Sequence, residues 1–150
     1  MANASPSGRN RPLSPHLQIW RWGPGMAASI LHRGSGLGAS IGMLLILWWL
    51  GALVAGPEAY AKFAELWWAD MAGETWEGIG ILWGLIHIVL KIVVVGCSWS
   101  LFAHALTGIR HFLLDTGAGY ELDANNFWAT ATIIGGFLLT AVFWAVLLLI

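Results

Sequence analysis

Three stretches of this chain, residues 37–55, 92–109 and 127–150, contain no Asp, Glu, Lys or Arg. A helix that crosses a bilayer needs about 20 predominantly apolar residues, and each run is near that length or above it. Backbone groups within lipid must be paired, and a helix satisfies all of its own. The runs therefore demand an all-α membrane protein. Composition agrees: 58% of the 150 residues are hydrophobic and 10% charged, against about 25% charged in a soluble domain.

The spacing predicts three transmembrane helices, at roughly residues 25–55, 91–114 and 126–150. They form a membrane domain over 25–150 behind an N-terminal arm, residues 1–24. Pro12 and Pro15 oppose regular helix in the arm. It also lacks the apolar segment of a cleaved secretory signal, so the first spanning helix is expected to direct insertion. Pro24 suits the first turn of that helix, where its missing N–H costs nothing. Gly56-Pro57 ends it, and an outer loop or interfacial segment, residues 57–90, carries Glu58, Glu65, Asp70, Glu74 and Glu77. Residues 79–114 are almost continuously apolar and would span about 54 Å as one helix, beyond the ~30 Å hydrocarbon core. Either 79–90 is a separate interfacial segment or the helix projects from the bilayer. Lys91 snorkelling to one surface would start the span there.

Arg9, Arg11, Arg21, Arg33 and Arg110 fall on one side of this arrangement, Lys62 and Lys91 on the other. That asymmetry puts the N-terminus inside and the C-terminus outside. A net charge of −1 without a basic run gives no reason to expect nucleic acid as a partner. The single Cys97 lies in an apolar run and reads as a free buried thiol. Gly34, Gly38 and Gly42 recur every fourth residue, a smooth stripe on which another helix or a flat ligand can approach closely. We expect the stripe to face a second membrane subunit.

Polar residues collect where the first two spans meet the inner surface. In "SILHRGSG" (29–36), Ser29, His32 and Arg33 share one helix face. In "HALTGIRHFLLD" (104–115), Arg110, His111 and Asp115 lie at the surface, and His104 sits two turns deeper than His111, ~10.5 Å along the axis. An ionisable side chain at that depth is expensive and points to function, and histidine is a common ligand of haem iron. Plainer readings stand beside these: His104 as an interhelical hydrogen-bonder, Arg110 and His111 as an inside flank, His87 as a structural histidine.

Together with "RPLSPHLQIW" (11–20), these blocks resemble the signature of the cytochrome b large membrane-anchor subunit of succinate dehydrogenase, respiratory complex II. Order and spacing agree over roughly residues 11–117; the third helix matches only in being apolar, and the outer segment 57–90 is bulkier than expected for the bacterial family. The resemblance implies that His104 is an axial ligand of a b-type haem, with Gly108 leaving room for the porphyrin. It implies that His32, Arg33, Arg110 and His111 lie near the haem propionates, where charge-assisted hydrogen bonds are strong. Ser29 and Arg33 match residues of the ubiquinone pocket, and Asp115 an acid suited to proton delivery.

The implied partners are an iron–sulfur subunit, a flavoprotein subunit and a second small membrane subunit that supplies the other haem ligand, all in contact with membrane lipid. The implied location is the bacterial inner membrane or the mitochondrial inner membrane. The chain has no dinucleotide fingerprint and no cluster of cysteines, so succinate oxidation is not expected of it alone. Alternatives are the anchor of a quinol:fumarate reductase and a haem-free structural anchor. A transporter would show discontinuous helices and repeats, and neither is visible.

Overall fold

The computed structural model describes residues 19–68 and 81–149, and every regular element among them is an α-helix. Helix α1 is Pro24–Ala55, α2 Pro57–Trp68, α3 Ile81–Asp115 and α4 Leu122–Leu149. Among the described residues, α1, α3 and α4 are long and apolar enough to cross a membrane. Most of the N-terminal arm, with the first block of the resemblance up to residue 18, lies outside the described residues. So do Asp70, Glu74 and Glu77 of the outer segment.

Helix α1 starts on Pro24, with Gly23 extended before it and its carbonyl taking the amides of Met26 and Ala27 at 3.1 and 3.2 Å. It stops at Gly56, whose φ of 109° suits glycine, and Pro57 opens α2 at once. The outer segment is thus partly helical rather than a loop. Its helix α2 has a periodic apolar face because Phe63 and Trp67, one turn apart, pack with Ala52 of α1 in a buried cluster. Trp48 meets both rings edge-on, with centroids 5.3 and 6.0 Å away.

Helix α3 begins ten residues before the expected start of the second span. It is one uninterrupted helix of 35 residues from Ile81, not from Lys91. At 1.5 Å per residue it measures about 52 Å, so the choice left open by the sequence resolves to a projecting helix. Its end is set by Gly117 at φ 83°, whose amide bonds the Leu114 carbonyl at 2.9 Å. Helix α4 begins at Leu122 rather than near 126, because Asp123 occupies its first turn and complements the helix dipole there.

The three long helices run antiparallel in succession, with polar side chains inside and large apolar ones outside. Ser35, Ser100, Thr107, Arg110, Thr132 and Thr140 are buried, while Leu44, Leu47, Val89, Ile92, Phe137 and Leu138 are exposed. That inversion is what a lipid-facing surface requires. The buried hydroxyls of Thr132 and Thr140 avoid a desolvation cost by donating to carbonyls of their own helix.

Glycine decides how close the helices come, and here the structure corrects the expectation for the stripe. A Cβ on Gly38 would lie 2.8 Å from Ser100 Cβ, and one on Gly42 would lie 3.0 Å from Cys97 Cβ. Both glycines are used inside this chain, at the α1–α3 seam. Gly34, the third of the stripe, has nothing within 4 Å among the described residues. On the other side of α3, Gly136 packs on Ala103, and Trp144 donates its indole N–H to Ser98 at 2.9 Å.

Candidate functional site

The α1–α3 seam brings the two histidine blocks together. His32 of α1 and His104 of α3 lie face to face, with ring centroids 4.1 Å apart and planes within 8° of parallel. His111, two turns beyond His104, meets His32 edge-on at 5.1 Å. Such convergence needs the close backbone approach at the seam. Gly36 contributes directly, since a Cβ there would lie 3.1 Å from His104 Cε1.

Hydrogen bonds assign the protons. His104 Nδ1 is 3.1 Å from the main-chain carbonyl of His32. A carbonyl can only accept, so Nδ1 carries the hydrogen and Nε2 the lone pair. The Thr107 hydroxyl spends its one proton on the carbonyls of its own helix, Ala103 at 2.6 Å and His104 at 3.1 Å. Toward His32 Nδ1, at 2.7 Å, it must therefore accept. His32 thus has the same tautomer as His104. Ser35, almost fully buried, donates to the same His32 carbonyl at 3.1 Å.

The remaining predicted residues are spread over the same end of the bundle. Ser29 is half-buried on α1 and Arg33, one turn on, is exposed. Asp115 is exposed as the last residue of α3. Arg110 departs from the histidine cluster: it is 7% exposed and donates through a terminal guanidinium nitrogen to Asn125 Oδ1 of α4. Its Nε is buried without a hydrogen-bond partner among the described residues. His87 is buried far up α3, apart from this cluster.

Thr107, Ser35 and Asn125 were missed by sequence reasoning. The first two lie inside the motifs already singled out, Thr107 one turn after His104 and Ser35 one turn after His32. Their position beside histidines was the available signal.

The residues match what one face of a haem site asks of a protein. Ligating histidines normally donate their other ring N–H to a carbonyl or carboxylate, which fixes tautomer and ring orientation. His104 meets that condition through His32. Gly108, one turn beyond it, lies against the His32 ring, since a Cβ there would meet His32 Cε1 at 4.0 Å. A buried guanidinium with an unmatched N–H calls for an acceptor, and a carboxylate is the strongest kind.

Residues 7–145 match the family described as succinate dehydrogenase/fumarate reductase transmembrane subunit. The chain belongs to that family. It is similar to the succinate dehydrogenase cytochrome b556 subunit of Paracoccus denitrificans, 36% identical over 87% of this chain and 86% of that protein. It is 29% identical to the cytochrome b556 subunit of Rickettsia felis, over 89% of this chain and 90% of the relative. It also matches the mitochondrial cytochrome b560 subunit of Mus musculus, 39% identical over 75% of this chain and 57% of the mouse protein. This succinate dehydrogenase membrane-anchor subunit is accordingly a multi-pass membrane protein and one component of a larger enzyme.

Proposed function

We propose that this anchor subunit binds haem b through His104 and forms part of the site where ubiquinone is reduced. The observation that carries the reading is the His104 tautomer: Nδ1–H is held by the His32 carbonyl, which leaves the Nε2 lone pair for iron. Among the described residues no group of three or more His, Cys, Asp and Glu is placed to hold a bare metal ion. A single histidine suits a metal whose macrocycle supplies the other ligands. The names of the Paracoccus and Rickettsia relatives, cytochrome b556, are in keeping with it.

Arg33, Arg110 and His111 lie at the same end and are the residues proposed to face the propionates, whereas His32 of the expected set is engaged with Thr107. Arg110 is the strongest of them, because burial of its guanidinium is costly until an anion meets it. Ser29 and Arg33 are proposed to hold the quinone, a hydroxyl and a cation that stabilise its oxygens as charge develops. Exposed Asp115 is proposed to deliver protons from the inner surface. A haem held by His104 would supply a one-electron store. The second axial ligand, a second small membrane subunit, and an iron–sulfur and a flavoprotein subunit complete the proposed assembly. Arg21, Arg33 and Arg110 at one end support an N-terminus on the cytoplasmic or matrix side of the inner membrane.

Replacing His104 with Leu in the assembled complex tests the reading. The b-type absorption spectrum is expected to lose its six-coordinate form, while His87→Leu leaves it intact. An unchanged spectrum in the His104 variant overturns the ligand assignment.

A further inference from the structure

We infer that Thr107 is a positioning residue for the haem: its hydroxyl locks the His32 ring, and His32 in turn locks the plane of His104. The inference rests on His104 being the ligand and adds a residue that acts on it only through another side chain.

Thr107 is 2% exposed and among the most deeply buried side chains of the described residues. A threonine in a helix can satisfy its hydroxyl on a carbonyl one turn back, and Thr107 does so on Ala103. That bond would be complete without α1. What it does not require is the third contact, the 2.7 Å bond accepted from His32 Nδ1 across the seam. The hydroxyl is thereby used in full, one hydrogen donated and a lone pair occupied by a residue 75 positions away.

His32 then holds His104 twice. Its carbonyl takes the Nδ1–H at 3.1 Å, which fixes one atom of the ring. A single hydrogen bond still lets an imidazole rotate about the axis through that atom. The stacked His32 ring, 4.1 Å away and 8° from parallel, opposes that rotation. The loop closes on α3, since Thr107 lies one turn after His104. Three side chains on two helices thus define one plane.

The arrangement also gives His32 a role different from donating to a propionate. In its present tautomer its only ring N–H is already given to Thr107. Its Nε2 can accept but has no hydrogen for a carboxylate.

The test uses the assembled complex with Thr107→Val, which keeps shape and removes the hydroxyl, and Thr107→Ser, which keeps the hydroxyl. Two properties of the oxidised and reduced haem are measured: the largest g-value in the EPR spectrum, which reports how the axial imidazole planes lie, and the midpoint potential. T107V is expected to shift both, and T107S to match wild type. Wild-type values in T107V overturn the inference, as does a T107S variant that departs as far as T107V, because the methyl and not the hydroxyl would then matter. If T107V assembles without haem, full haem in T107S supports the inference and its loss there overturns it. Failure of the underlying reading looks different: His104→Leu would then keep its haem.

Discussion

Gly38→Ala adds one methyl group at the tightest point of the seam. The new Cβ would stand 2.2 Å from Ser100 Oγ and 2.8 Å from Ser100 Cβ. The hydroxyl can turn aside, but Ser100 Cβ is fixed to the α3 backbone. Ordinary carbon–carbon contact is about 3.5–4.0 Å, so α1 and α3 must part by about 1 Å. Overpacking of that kind costs roughly 1–3 kcal/mol. Alanine returns up to about 1 kcal/mol through its better helix propensity. Because the opposing Cβ is held by backbone, the cost belongs in the upper half of that range, and the expected net loss is about 1–2 kcal/mol, a factor of roughly 5–30 in the folded-to-unfolded ratio.

The same separation would carry His104 Nδ1 from 3.1 Å to about 4 Å from the His32 carbonyl, outside hydrogen-bond range. Thermal unfolding of the purified complex, followed together with its haem absorption, should show both effects. Two double variants give the reasoning a sharper edge. Ser100→Gly removes the opposing Cβ and should restore stability to Gly38→Ala; Ser100→Ala keeps that Cβ and should not. A Gly38→Ala complex as stable as wild type refutes the clash, and so does failure of Ser100→Gly to rescue it. Gly34→Ala, with nothing within 4 Å, is the control that leaves this chain's own packing untouched.

Ser29→Ala and Arg33→Leu should lower succinate–quinone reductase activity sharply, while succinate oxidation by an artificial acceptor that bypasses the membrane persists; equal loss in both assays would assign them to assembly instead. Asn125→Ala should lower the melting temperature of the complex, because it strips a buried guanidinium of a carbonyl partner, a charged hydrogen bond worth roughly 1.5–3 kcal/mol.

The spans were legible because lipid imposes a length and an apolar composition that few other structures share. The start of α3 was not. Lys91 marks where a side chain can reach water, whereas the helix continues past that level on the same apolar pattern. Helix α2 was hidden by its charges: Glu58, Lys62 and Glu65 suggest a loop until Phe63 and Trp67 are seen on α1. Periodicity also exposed the glycine stripe without saying which helix it meets. Gly38 and Gly42 met α3 because the α1–α3 crossing falls on them, and a crossing is a tertiary fact. In the site, helical spacing put Ser29, His32 and Arg33 on one face and His104 above His111. Thr107 and Ser35 lie one turn from those histidines but were passed over, because their hydroxyls look self-sufficient on any apolar helix.

The glycine seam and the histidine cluster are one device. Gly36, Gly38 and Gly42 sit along the part of α1 that meets His104, Ser100 and Cys97. A side chain at the middle of that row would hold the backbones apart. Only at close approach does the His32 carbonyl come within 3.1 Å of an imidazole on another helix, although in α1 that carbonyl already belongs to the helix ladder. The tautomer of His104 is therefore not a property of its own segment. It depends on the absence of Cβ atoms on a helix more than sixty residues earlier in the chain. Packing in lipid has no strong hydrophobic drive between helices and relies on such close contact, so the feature that holds α1 to α3 also sets the proton of His104.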